Sequence, residues 1–234
     1  MPQTSADCTI GMLIFPRMTQ LDFTGPFEVF ARVPGVKVHV LWKALEPVVS
    51  DTGLAILPTT TLDECPDLDL ICIPGGPGQM AMMEDEQILS FVREQGARAR
   101  FVTSVCTGSL VLGAAGLLHG YRATTHWMSL DQLVYFGATP VKQRIVIDRN
   151  RVTGGGVTSG IDFGLYVASL ITNEQIARAI QLSIEYNPQP PFTSGSPEGA
   201  EPEIVAAVKE RAAAMLRERD ATSRRAAQRL GWGG

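Results

Sequence analysis

Cys106 stands between two kinds of sequence. Before it, Phe101, Val102 and Val105 form an apolar run suited to a buried strand. After it, Thr107, Gly108 and Ser109 open a Gly- and Ala-rich helix (FVTSVCTGSLVLGAAGLL, residues 101–118). A side chain at such a strand-to-helix turn sits on a sharp, strained bend, the arrangement of a nucleophile elbow at the carboxyl edge of a parallel sheet. The free N–H groups at the start of the following helix favour thiolate over thiol. A cysteine buried as a small hydrophobe has no need of the polar, tightly turning surround of Ser104, Thr107, Gly108 and Ser109. These residues support a reactive thiol.

A nucleophile needs groups that move protons and steady charge. Asp22, in LDFTGP, either caps a helix expected near Pro26 or serves as the acid/base partner of the thiol. Within hydrogen-bond reach the two would share a proton and titrate as a unit, because a carboxylate and a thiolate cannot both be charged cheaply. Thr107 either caps its helix or hydrogen-bonds the carboxylate or the substrate. Gly75 and Gly76, in IPGGPG, form a plain turn or offer two free backbone N–H groups to developing negative charge, a substrate-binding role.

His126, in ATTHW, follows Cys106 by 20 residues, and its flanking threonines and Trp127 fit a packed, hydrogen-bonded histidine better than a dyad partner. His39 is expected on the solvent face of a strand and His119 in a loop. The three histidines stand apart from carboxylate or thiol clusters, so no metal site is expected. Cys72 reads as core, and no chemistry surrounds Cys8 or Cys65. The four cysteines form no CxxC pair, which fits free thiols in a reducing cytoplasm.

The elements that must position these residues alternate as βαβ units do. Strands are expected at residues 10–15, 36–42 (nearer a sheet edge), 69–74 and before Cys106, with helices at 26–32 and 86–99. Residues 144–148 and 151–153 read as a hairpin, and Gly154, Gly155 and Gly156 open a helix at 160–171. Three expected turns, after Phe15, Pro74 and Val105, fall at carboxyl ends of parallel strands, the edge where open α/β sheets bind ligands. Asp22, the glycine pair and Cys106 are therefore expected to converge. The domain is expected over residues 1–186. A Pro/Gly-rich loop and a final helix at 202–229 then pack on the domain or on a second subunit.

Bulk properties narrow the function classes. With 45% hydrophobic residues, 19% charged and a net charge of −4, the chain offers no electrostatic reason to bind nucleic acid. Ile204, Val208, Ala212 and Met215 recur at helical spacing, with arginines 217, 219, 224, 225 and 229 beyond. Glu218 and Asp220 interleave there, against a nucleic-acid-binding stripe. The N-terminal segment MPQTSADCTIGMLIF lacks the basic region and apolar length of a signal segment. No stretch reaches the roughly 18 apolar residues of a membrane helix.

The segments LDFTGP, IPGGPG, SVCTGSLVLGAAGLL, RATTHW, TGGGVTSGIDF and YNPQPPFTSGSP together resemble the ThiJ/PfpI superfamily over residues 9–186. Within it they are most similar to bacterial isocyanide hydratases. The resemblance implies a flavodoxin-like sandwich with a mainly parallel sheet, related to class I glutamine amidotransferases, with the cysteine on the elbow. It implies Cys106 as nucleophile, Asp22 as acid/base carboxylate and Thr107 as its hydrogen-bonding neighbour. It further implies a small-molecule isocyanide substrate, no cofactor, a homodimer and a cytoplasmic location. Many members follow the cysteine with histidine; here Thr107 follows, so no Cys-His pair arises by adjacency. Glyoxal-directed thiol enzymes and the sensor domains of certain transcription regulators resemble the same motifs. The regulators append about two helix-turn-helix units, for which one remaining helix is too little.

Overall fold

The computed structural model of the protein describes residues 7–232. The expectation of no signal segment falls partly on residues 1–6, and the outer limits of the expected domain and tail fall on residues 1 and 234. These positions lie outside the described residues.

Continuous apolar runs become the middle of the sheet, because a strand covered on both faces has no solvent side to alternate with. The strands are β1 (Cys8–Leu13), β2 (Val36–Trp42), β3 (Thr60–Thr61), β4 (Leu70–Ile73), β5 (Phe101–Val105), β6 (Ile145–Asp148) and β7 (Arg151–Gly154). They lie in the order β6-β7-β5-β4-β1-β2-β3. All pairings are parallel except the β6–β7 hairpin, which closes one edge. The parallel run β2-β1-β4-β5-β7 is the flavodoxin-like order. All four residues of β4 are buried, and Ile10, Met12 and Leu13 of β1 are fully so.

The helices are α1 (Gln20–Phe30), α2 (Gln79–Met82), α3 (Glu86–Arg98), α4 (Gly108–Ala114), α5 (Ser159–Ile171), α6 (Glu174–Ser183) and α7 (Pro202–Arg229). One group packs α1 against α5 and α5 against α6; another packs α3, α7 and a 3₁₀-helix (Trp127–Phe136) around α4. The sheet between them makes the α/β sandwich.

Three local expectations are corrected. The first helix begins at Gln20 rather than near Pro26, so Asp22 lies in its first turn and caps nothing; Thr19 holds the N-cap position. Pro26 sits inside the helix, where it has no N–H to give the Asp22 carbonyl one turn earlier. His39 is buried, not solvent-facing, because the short β3 covers its side of β2 and Thr60 Oγ1 bonds its Nδ1 at 2.8 Å. Finally, α2, the 3₁₀-helix and two-residue ladders at 48–49 with 55–56 and 122–123 with 139–140 were not foreseen. Such elements are too short to show a period.

Candidate active site

The turn after β5 is as tight as its sequence suggests. Cys106 has φ +55°, a left-handed conformation that costs a non-glycine residue roughly 1–2 kcal/mol. Its surroundings hold it there. The Cys106 N–H is shared between the carbonyls of Gly154 (3.0 Å) and Gly155 (2.8 Å), at the end of the neighbouring strand. Its carbonyl accepts from the hydroxyls of Thr125 (2.9 Å) and Ser109 (3.1 Å). Strain so over-determined is a common feature of functional sites.

Asp22 reaches this elbow from α1, across a separation of 84 residues in the chain. Its side chain is completely buried, and Oδ2 accepts the Gly75 N–H at 3.1 Å. The Cys106 thiol interacts with this carboxyl closely enough that each alters the other's proton affinity. The resting pair makes no aligned S–H···O bond, and Oδ1 has no hydrogen-bond partner among the described residues. Thiol and carboxyl thus face each other without a fixed bond.

Burial decides the charge state of both. It raises Asp22 from 3.8 to about 7, opposed by the thiol and the Gly75 amide and assisted by the negative charge of Asp51. Burial likewise pushes the Cys106 thiol well above its ordinary value, and the Asp22 charge adds to that. The Thr107 amide and the Arg219 guanidinium pull the other way. Both groups therefore hold their protons to higher pH than in water, and the carboxyl is the first of the two to lose its own.

Thr107 does not cap α4 with its side chain. Its hydroxyl instead accepts the Gly76 N–H at 3.0 Å. The expectation of two free N–H groups on the glycine pair is thus corrected: Gly75 is engaged by Asp22 and Gly76 by Thr107. The pair aims the carboxyl and the hydroxyl. Glycine is required at both positions. A Cβ on Gly75 would lie 2.5 Å from Thr107 N and 2.8 Å from Asp22 Oδ2. One on Gly76, at φ +123°, would lie 2.2 Å from Thr19 N.

His126 lies outside this cluster of contacts. Its Nδ1 accepts the Met128 N–H at 3.3 Å, and burial, helped by the nearby Arg219 charge, lowers it to about 4, so it is neutral near pH 7. With Trp127, Leu130 and Val157 it lines a cavity of about 650 Å³. Cys106 and Asp22 do not line that cavity; Thr125 and Gly155, both bonded to the Cys106 backbone, stand between it and the elbow, and residues 195–198 border it. Cys72 is fully buried in β4, as expected of core. Among the described residues, no three His, Cys, Asp or Glu side chains gather as metal ligands would, and no helix is long and apolar enough to cross a membrane.

Sequence reasoning missed Thr125 and Arg219. The position of Thr125 beside His126 was the available signal for the first; the burial of the second follows from packing alone.

Over 94% of its length the chain is 55% identical to an isonitrile hydratase of Pseudomonas putida, covering 97% of that protein. An HTH-type transcriptional regulator of Pseudomonas aeruginosa, GbdR, is 29% identical over 76% of this chain, which spans 51% of the regulator. A ThiJ/PfpI family protein from Pseudomonas syringae superposes with a TM-score of 0.91 at 44% identity, over 95% of this chain and 97% of that one. The model of the DJ-1/PfpI family matches residues 9–170, the span that carries the elbow, Asp22 and the glycine turn, and the chain belongs to that family.

Proposed function

We propose that this protein is a cysteine-dependent hydratase that converts isocyanides, R–N≡C, to N-substituted formamides. The observation that carries the reading is the near-full-length likeness to the Pseudomonas putida isonitrile hydratase. A buried thiol facing a carboxyl raised to about 7 gives that likeness a mechanism.

The reaction starts as the thiol's proton passes to the Asp22 carboxylate, which leaves the negative charge on sulfur. The soft thiolate bonds to the soft terminal carbon of the isocyanide, and Asp22 delivers its proton to that carbon, giving a thioimidate. Asp22, now a carboxylate, takes a proton from water while the hydroxide adds to the same carbon. The C–S bond then breaks as the new hydroxyl's proton passes to nitrogen. Formamide leaves, and thiolate and protonated Asp22 are restored. Dividing one hard addition into two easier ones is the benefit of covalent catalysis. An acid near 7 can both give and take a proton at neutral pH.

Thr107, held by Gly76, keeps its hydroxyl beside the reacting carbon; Gly75 keeps the carboxyl aimed. The R group extends into the cavity beside His126, Trp127 and Leu130. No cofactor enters these steps. A homodimer in the cytoplasm, binding neither nucleic acid nor membrane, belongs to the same proposal, and a monomeric mass in sedimentation would remove the dimer from it. The decisive experiment measures formamide from an aryl isocyanide by absorbance. Wild type should turn over and Cys106→Ala should not; a Cys106→Ala protein that still turns over would refute thiol catalysis.

A further inference from the structure

Arg219 lies on α7 and is only 3% exposed, yet among the described residues it has no counter-ion. Its Nη1 donates to Ser129 Oγ at 3.0 Å, its Nη2 contacts Met215 Sδ at 3.5 Å, and its Nε is buried without a partner. The nearby carboxylates are committed elsewhere. Asp220 pairs with Arg224 and accepts from Tyr135, Glu84 pairs with Arg225, and Glu218 lines a separate cavity beside Arg17, Lys43 and Asp85. A buried cation held only by a hydroxyl and a thioether is costly, and a guanidinium does not relieve the cost by losing its proton.

The groups that feel this charge are Cys106 and His126. Burial, Cys106, Gly75 and Asp51 govern Asp22. The packing explains the difference. Helix α7 rests on α4, which starts at the elbow, and on the 3₁₀-helix. Ser129, which holds the guanidinium, donates its N–H to the His126 carbonyl at 2.8 Å, and Thr125 before it holds the Cys106 carbonyl. The cation is thus tethered to the segment that grips the elbow, whereas Asp22 arrives from α1, which packs on α5 in the other group of helices.

We propose that Arg219 is a positioning residue that draws the negative charge of the Cys106–Asp22 pair onto sulfur, leaving the shared proton on Asp22. The proposal rests on the acid/base reading of that pair. No bond to Arg219 forms or breaks: it favours S⁻/COOH over SH/COO⁻ because its tether runs to the Cys106 elbow and not to α1, which carries Asp22. It also gives the C-terminal helix, outside the span matched by the family model, a part in the chemistry.

The test is alkylation of Cys106 by iodoacetamide across pH, read by mass spectrometry of the Cys106 peptide, in the full chain. Replacing the cation by Arg219→Met should move the rising limb up by about one pH unit, a tenfold fall in thiolate. Because a more basic thiolate is also more nucleophilic, the net effect is about three- to tenfold slower alkylation. Arg219→Lys should restore most of the rate, a rescue that packing alone would not give. A folded Arg219→Met protein that alkylates like wild type at every pH overturns the proposal. If Arg219→Met does not fold, Ser129→Ala, which frees the guanidinium but keeps its charge, should shift the limb the same way by a smaller amount, and an unchanged limb overturns it. Alkylation needs no isocyanide, so a shifted limb in a protein without hydratase activity would leave this inference standing and remove only the substrate.

Discussion

Asp22→Asn removes a buried acid whose charged form the fold disfavours, and its consequence for stability has a definite sign. The folded-state value is raised from 3.8 to about 7. The favourable contribution is therefore complete below pH 4 and is lost as the pH rises toward 7, because the unfolded chain ionises first. At 1.36 kcal/mol per unit the full loss is about 4 kcal/mol, of which about 2.5 kcal/mol falls between pH 5 and pH 8. Asparagine has no such dependence. It leaves a buried amide N–H near the thiol, a penalty of about 1–3 kcal/mol, but one that does not change with pH. His126, lowered to about 4, titrates alike in both proteins and drops out of the comparison. Urea unfolding of wild type and Asp22→Asn at pH 5 and pH 8 reads the effect directly. The variant should gain on wild type by about 2.5 kcal/mol over that interval. A difference that stays constant within about 0.5 kcal/mol would refute a raised Asp22 and, with it, the acid/base reading of the pair.

Two further substitutions probe the turn that aims the pair. Thr107→Val leaves the buried Gly76 N–H without its acceptor and should cost about 1–3 kcal/mol in chemical denaturation, whereas Thr107→Ser should keep both stability and turnover. Equal stability of the two variants would show that the hydroxyl is dispensable. Gly75→Ala drives a methyl between Thr107 and Asp22, so kcat for isocyanide hydration should fall about 100-fold while the protein stays folded. Unimpaired turnover there would mean that the carboxyl's placement is not set by this turn.

Much of the architecture is legible along the chain because its cause is local. The runs IGMLIF and DLICIP are apolar throughout, and only strands covered on both faces use such runs, so the central parallel sheet could be anticipated. The same holds for Cys106, since an apolar strand, one cysteine and a Gly-rich helix allow little but a sharp turn, observed at φ +55°. Convergence of Asp22, Gly75 and Cys106 was also within reach, since all three follow strands of one parallel sheet and share its carboxyl edge. Tertiary structure decided what each group does there. Which acceptor takes the Gly75 and Gly76 N–H groups depends on contacts 53 and 31 residues away, which no local pattern encodes. His39 alternates with valines as an exposed residue would, and only the arrival of β3 buries it. Arg219 looked like one more arginine beyond the apolar stripe of a surface helix. Its burial and its access to the thiol exist only because α7 folds back over the elbow helix, and a sequence period carries no information about such a long-range contact.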